Sequence, residues 1–253
     1  MLIMLSDIDA VFKGRIEELA RTAASRDCFT FSDFLTMAER SYVLECARSL
    51  PASVTFSGGF ENAERVIAQF GPAEDIGHEA RFPIVILHIS PLNAKFSDML
   101  THRDILGALM NLGIERKLTG DILTNGTDAY VFVSERIAPF IAGSLIRVKH
   151  TSVAVQPADA LPEGMVRDPE QFSVVVPSLR LDAVIAKVYS LSRKEVQTLL
   201  SGEKVFVNSI STTRASYLLK ENDLVSVRGS GRFRFCACEG GTRKGNLRIL
   251  IEK

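Results

Sequence analysis

The stretch Ser178–Ser209, SLRLDAVIAKVYSLSRKEVQTLLSGEKVFVNS, sets out two short helices, a strand and a turn in 32 residues. Leu181, Val184, Ile185 and Val188 fall at i, i+3, i+4 and i+7, so a first helix carries one apolar stripe. Tyr189 and Ser190 interrupt it. Ser192 followed three residues later by Glu195 has the form of a capping box opening a second helix, with Leu191 and Val196 at the staple positions that fix the chain's angle. Val196, Leu199 and Leu200 supply its buried face, and Gly202 is expected to end it in a left-handed conformation. Val205-Phe206-Val207 reads as a strand closed by a turn at Asn208-Ser209, and a further strand, Leu224 to Arg228, follows the Asn222-Asp223 turn. So small a unit leaves no room for a catalytic pocket. With basic residues at its element ends, it makes a compact platform for a folded RNA.

Charge points the same way. The whole chain is balanced, with 30 basic and 30 acidic residues. Residues 178–253, however, hold 14 Lys+Arg against 7 Asp+Glu, a net +7, and the remainder holds 16 against 23, a net −7. A pI near 6.9 conceals this asymmetry. A polyanion is drawn to one end of the chain only. Surface cations that merely solvate a small domain are the plainer alternative.

Beyond the quoted stretch, Arg232-Phe233-Arg234-Phe235 alternates with period two, which puts both arginines on one face of a strand and both phenylalanines on the other. Gly240-Gly241 can turn the chain, bringing Arg243, Lys244 and Arg248 back beside it. This pattern suits a basic ribbon against a phosphate backbone, or an ordinary half-buried hairpin with solvated arginines.

The rest of the chain is bounded by its composition. With 253 residues, 46% apolar and 24% charged, it has enough material for two or three small globular domains. No apolar run approaches the roughly 20 residues a membrane helix needs. The acidic leader MLIMLSDIDAVFKG offers no cleavage site, so secretion is not expected. Cys28 and Cys46 stand alone, and Cys236-Ala237-Cys238 is poorly spaced for zinc, which favours buried thiols in a reducing cytoplasm.

Residues 1 to about 50 read as helical, with Ser6/Asp9 and Thr30/Asp33 as cap pairs and Ile8, Val11, Phe12, Ile16 and Leu19 as an apolar stripe. Val54 to Phe56 is a short strand, Gly58-Gly59 a turn, and Glu61 to Phe70 another helix. The apolar run Ile84 to Ile89 is a buried strand, and Thr101 caps a helix bearing Ile105, Leu106, Leu109 and Met110. Asp121–Thr124 and Ala129–Val133 flank Asn125-Gly126, a hairpin signal. Ser134 opens a helix that Pro139 limits or kinks, and Thr151 to Val155 is a last strand. The order βαββαβ is a ferredoxin-like plan, shared with the common RNA-recognition fold. Readers of that shape stack bases on sheet aromatics, and here only Tyr130 and Phe132 are on offer, with core packing against the helices as the alternative use.

The expected architecture is therefore α+β. Residues 1–80 form a mainly helical N-terminal region, 81–156 a ferredoxin-like βαββαβ domain, and 157–177, with Pro157, Pro162, Pro169 and Pro177, a linker. Residues 178–253 form a small αα-β RNA-binding domain with a basic C-terminal hairpin.

Arg180-Leu181-Asp182, Ser192-Arg193 and Gly202 to Asn208 resemble the RNA-binding module named after ribosomal protein S-four, over roughly residues 178–230. Ser209 and Asn222 stand where that module usually has glycine. THRDILGALMNLGIERKLTGDIL (Thr101–Leu123), GGFENAER (Gly58–Arg65) and the tail Ser230–Phe233 extend the likeness: the chain resembles the YlmH family. That resemblance implies a cytoplasmic protein, without cofactor or catalysis, that holds rRNA and tRNA on the large ribosomal subunit during rescue or quality control of stalled translation. The family also has a link to cell division, and the chain is further expected to be a monomer with no DNA or membrane partner.

The residues expected to meet RNA are Arg180, Ser192, Arg193, Lys194, Lys204, Arg228, Arg232, Arg234, Arg243 and Lys244, with Ser192 chiefly positioning its neighbours. His102, Arg103, Arg116 and Lys117 bracket the middle-domain helix as a possible second contact. The first two sit where free N–H groups favour phosphate. Pairing with Asp98, Asp104 or Asp121 is the alternative. Catalytic readings find little: His102-Arg103-Asp104 only superficially resembles a pseudouridine-synthase motif, and no GxGxxG, Walker loop or HExxH is present. A small rRNA- or tRNA-modifying enzyme and an RNA-anchored docking protein for a division partner remain as rivals. Of the histidines, His78, His88, His102 and His150, none has a partner at ligand spacing, and His88 is read as a satisfied core residue.

Overall fold

The computed structural model describes residues 9–71, 81–93, 95, 97–166, 170–208, 210–242 and 245–253. It divides into two compact units, residues 1–166 and 167–253. Both mix helix and sheet, and the protein is α+β.

The first unit opens with helix α1 (Ala10–Arg26), capped by Asp9, whose carboxylate accepts from the Val11 N–H at 3.1 Å. Ile16, Leu19, Ala20 and Ala23 form its buried stripe. Ser6 and Ile8 lie outside the described residues. Thr30 does not cap a helix; it starts strand β1 (Thr30–Leu35), its hydroxyl donating to the Leu19 carbonyl. The capping box belongs to Thr36 and Glu39, ahead of α2 (Met37–Cys46). Strand β2 (Ser53–Ser57) follows.

The segment expected as a helix from Glu61 to Phe70 is instead strand β3 (Val66–Gly71), buried along its whole length. It is the central strand of the sheet β1-β3-β2. A short run that is apolar on both faces has neither helical nor alternating periodicity, so pattern alone cannot decide it. Here its β-branched and aromatic members, Val66, Ile67 and Phe70, pack on both sides.

The second sheet of this unit is built from β4 (Ile84–Pro91), α3 (His102–Asn111), β5 (Thr119–Asn125), β6 (Asp128–Ser134), α4 (Ala138–Ser144), a two-residue β7 (Arg147–Val148) and β8 (Thr151–Ala158). Its order is β5-β6-β4-β8-β7, all neighbours antiparallel, which is the ferredoxin-like arrangement with β7 added at one edge. Gly126, with φ +67°, takes the first loop position of the β5–β6 hairpin. Pro139 lies in the first turn of α4, where its missing N–H costs nothing. One face of the sheet packs Leu87, Val131, Val133 and Val155 against Ile105, Leu109 and Ile141 of the two helices.

The other face is also covered. Phe132 is completely buried beneath Phe34 and Ile67, and its ring lies 4.8 Å from that of Phe60. The approach is so close that a Cβ on Gly59 or Gly120 would come within 2.5 Å of the Phe132 ring or 2.6 Å of the Phe34 ring. Phe132 therefore packs neither against the helices nor toward solvent. It is the seam between the two halves of this unit.

The second unit contains β9 (Gln171–Val176), α5 (Leu181–Val188), α6 (Arg193–Ser201), β10 (Val205–Val207), β11 (Ile210–Ser211), β12 (Leu224–Val227), β13 (Gly231–Gly241) and β14 (Leu247–Glu252). The sheet order is β11-β10-β12-β13-β14-β9. Residues 171–176, within the stretch expected as linker, are thus an edge strand paired with β14. Gly202 ends α6 at φ −84°, and the left-handed residue is Glu203, at +53°. Gly240-Gly241 stay in β13, and beyond them the Thr242 N–H donates to the Asn246 carbonyl at 2.7 Å. All four cysteines are free; none is fully buried, and Cys238 is exposed.

Candidate nucleic-acid interface

The second unit holds its helices by local rules. Ser192 Oγ accepts from the Glu195 N–H at 3.3 Å, and Glu195 returns a bond to the Ser192 N–H at 2.7 Å. Those bonds hold the Glu195 carboxyl below its ordinary pKa. Ser192 is consumed in this exchange, while Arg193 and Lys194, the first two helical residues, are exposed to solvent. Neither makes an ion pair among the described residues.

Arg180, expected beside them, is differently placed. Its Nε and Nη2 grip the two oxygens of Asp182 at 3.0 and 2.8 Å. That fork raises the Arg180 pKa and lowers that of Asp182. A phosphate reaching Arg180 has to share it with a resident carboxylate.

Lys204 and Arg228 meet across strands. The Arg228 N–H donates to the Lys204 carbonyl at 2.9 Å, and the Arg228 guanidinium stands 5.0 Å over the Phe206 ring. Val205 and Val207 are buried, so Phe206 faces the opposite side of the strand. The cross-strand row Phe206–Ser226–Arg232 continues that face. Phe206 was not among the expected contacts, although the alternation in Val205-Phe206-Val207 carried the signal. An aromatic face beneath a guanidinium is equipped to stack a base and hold its phosphate.

The β13 alternation places Phe233 and Phe235 in the core and the arginines opposite. Arg232 is exposed, whereas Arg234 is half-buried and lies 3.6 Å from Glu252. Arg248 is exposed on β14. Arg243 and Lys244 lie outside the described residues.

The four cations of the first unit do not converge. His102 and Arg103 open α3, and Arg116 and Lys117 lie past its far end, some 15 Å along a ten-residue helix. Arg116 turns inward: its Nη1 donates to the carbonyls of Thr119 at 2.7 Å and Gly120 at 2.9 Å. Burial, then the nearby Arg65 charge, brings its pKa down to about 10. Arg65 donates in turn to Thr119 and Phe34 carbonyls, both at 3.0 Å, and Asp121 accepts the Glu64 N–H at 2.7 Å. These residues knit the two halves of the unit together. Lys117 sits on Glu115 at 2.8 Å. Asp104 Oδ2 is engaged by the Thr101 cap and, at 3.5 Å, by Lys149, so the carboxylate serves the helix start.

His88 is not a core residue. Its ring stacks on Tyr130 at 4.5 Å, its Nε2 lies 2.7 Å from Asp128, and its side chain is partly open. Among the described residues no cluster of His, Cys, Asp and Glu is placed to hold a metal. No described helix is long and apolar enough to cross a membrane.

Two family profiles match this chain: "Putative RNA-binding domain in YlmH" over residues 78–161, and "S4 domain" over residues 179–225. The chain is 32% identical over 226 residues to ribosome-associated protein quality control protein P2 of Bacillus subtilis (strain 168), covering 88% of this chain and 86% of that one. A solved structure, cell division protein ylmH from Streptococcus pneumoniae, is similar with a TM-score of 0.49 and 22% identity, over 59% of this chain and 90% of that one.

Proposed function

The chain belongs to the YlmH family, and from that premise we propose that it is a non-catalytic RNA-binding protein of the large ribosomal subunit, acting in rescue or quality control of stalled translation. Its partners are rRNA and tRNA, it works in the cytoplasm as a monomer, and it needs no cofactor. The observation that carries this reading is the C-terminal unit: Arg193 and Lys194 exposed at the start of α6, with Lys204, Arg228 and Phe206 joined across β10 and β12. The net +7 of residues 178–253 supplies long-range attraction, and the fixed backbone supplies shape selection at contact. The name of the Bacillus relative supports the ribosomal setting.

The test is sedimentation of cell lysate through a sucrose gradient. The native chain is expected to travel with large subunits and the variant Arg193→Glu, Lys194→Glu to stay at the top. If both stay at the top, the reading fails. Nucleoside mass analysis of rRNA and tRNA incubated with the protein checks for chemistry, and any new modified base overturns the non-catalytic assignment.

A further inference from the structure

We propose that the ferredoxin-like domain meets RNA through a groove on its helix side, between α3 and the α4–β7–β8 connection, and not through its sheet. This rests on the RNA-binding reading above but places a second site far from the C-terminal module in sequence. The groove encloses about 550 Å³. Arg103, Arg147 and Lys149 bring three positive charges to it, Asp104 one negative, and the exposed Ile146 an apolar wall.

Three observations favour RNA as the occupant. The sheet is unsuited to the task. Its four long strands, β4, β5, β6 and β8, contain no Lys or Arg, and carry Asp121 and Asp128. Phe132 is sealed under Phe60, and Tyr130 is buried against His88. A phosphate backbone finds no counter-charge there.

The groove, by contrast, has cations to spare. Arg103 and Arg147 are exposed and have no carboxylate partner among the described residues. Lys149 pairs with Asp104 at 3.5 Å but keeps 42% of its side chain open. Arg103 comes from one end of the domain's sequence and Arg147 and Lys149 from the other; the packing of α3 on β7 brings them together.

The floor is the third observation. Gly107 lies in the middle of α3, exposed, with nothing within 4 Å of where a Cβ would stand. A mid-helix glycine weakens a helix relative to alanine, and no neighbour here requires it. It does leave the helix backbone open to close approach by a ligand. Lys149 shows a parallel feature, a lysine held at φ +54° where glycine would be relaxed.

The test uses the full chain and two probes, a fluorescent single-stranded oligoribonucleotide of mixed sequence and purified large-subunit rRNA, with affinity measured across a salt series. Arg103→Gln, Arg147→Gln is expected to weaken binding on the order of tenfold and to flatten the salt slope by about 0.7 per lost contact. Lys149→Gly, which relaxes the backbone, is expected to lose affinity while melting no earlier than the native chain. Gly107→Glu is expected to lose affinity, and Gly107→Ala to melt higher and keep more affinity than Gly107→Glu.

Unchanged affinity and slope in the groove variants, with loss in Arg193→Glu, overturns the groove and leaves the module reading standing. Loss in the groove variants alone supports the groove and removes the module. No loss in either removes both. Groove variants that bind both RNAs normally yet no longer travel with ribosomes overturn the RNA assignment, and give the groove to an acidic protein segment.

Discussion

The amide of Asn208 donates to the carboxylate of Asp223 at 2.8 Å, and both residues are buried where β10 ends and β12 begins. Asn208 accepts the Leu224 N–H at 2.9 Å; Asp223 accepts from the Tyr217 hydroxyl and the Lys220 N–H, each at 2.9 Å. Asn208 and Asn222 both take left-handed backbones, φ +50° and +70°, which asparagine tolerates better than most residues. The turns that the sequence marks by Asn208 and by Asn222-Asp223 are therefore one hydrogen-bonded knot. It fixes the strand that presents Phe206.

Removing Asp223 takes the acceptor from the buried Asn208 amide and breaks the bonds it accepts from the part-buried Tyr217 hydroxyl and the Lys220 N–H. Asp223→Ala is expected to cost about 2–4 kcal/mol. Urea denaturation followed by circular dichroism measures this. A loss below half a kcal/mol would mean that the knot contributes little.

Phe132→Leu tests whether the sheet of the ferredoxin-like domain reads bases. The residue is a seam between two halves of the first unit, so the change is expected to lower stability by about 1–2 kcal/mol and leave RNA affinity unchanged. A base-stacking aromatic would instead lose roughly 1–3 kcal/mol of binding. Affinity loss of that size in a folded variant would return the sheet to the RNA surface.

Arg116→Gln separates support from contact. Because the Arg116 guanidinium is spent on the Thr119 and Gly120 carbonyls, the variant is expected to melt earlier, by about 1–3 kcal/mol, with the salt slope of RNA binding intact. A slope that falls with stability unchanged would make Arg116 a phosphate ligand.

Phe206→Ala is expected to weaken binding of single-stranded RNA by about 1–3 kcal/mol while the buried Val205 and Val207 hold the strand in place. Fluorescence anisotropy with a labelled oligoribonucleotide reads the change. Unaltered affinity would limit Phe206 to supporting Arg228.

How much of this was legible in the sequence follows from how local each feature is. The capping box at Ser192, the helix cap at Thr101, the β5–β6 hairpin and the Phe233/Phe235 alternation are set by residues within a few positions of each other, and the expected pattern is the one observed. Strand β3 was not legible, because burial on both faces erases periodicity. The left-handed position after α6 fell one residue late, on Glu203 in place of Gly202, a shift within the usual uncertainty of helix ends. The cover over Phe132 and the reach of Arg65 to the Phe34, Arg116 and Thr119 carbonyls depend on partners from distant parts of the chain. The meeting of Arg103 with Arg147 and Lys149 depends on packing in the same way. Phe206 is the exception, since its neighbours already told which way it faced.

The most direct measurement is equilibrium binding of the purified chain to purified large ribosomal subunits over a salt series, native against Arg193→Glu. The account predicts weaker binding and a slope lower by about 0.7 to 0.9 for a single lost phosphate contact. Equal affinity and equal slope for the two proteins would contradict it, and would move the RNA interface away from the start of α6.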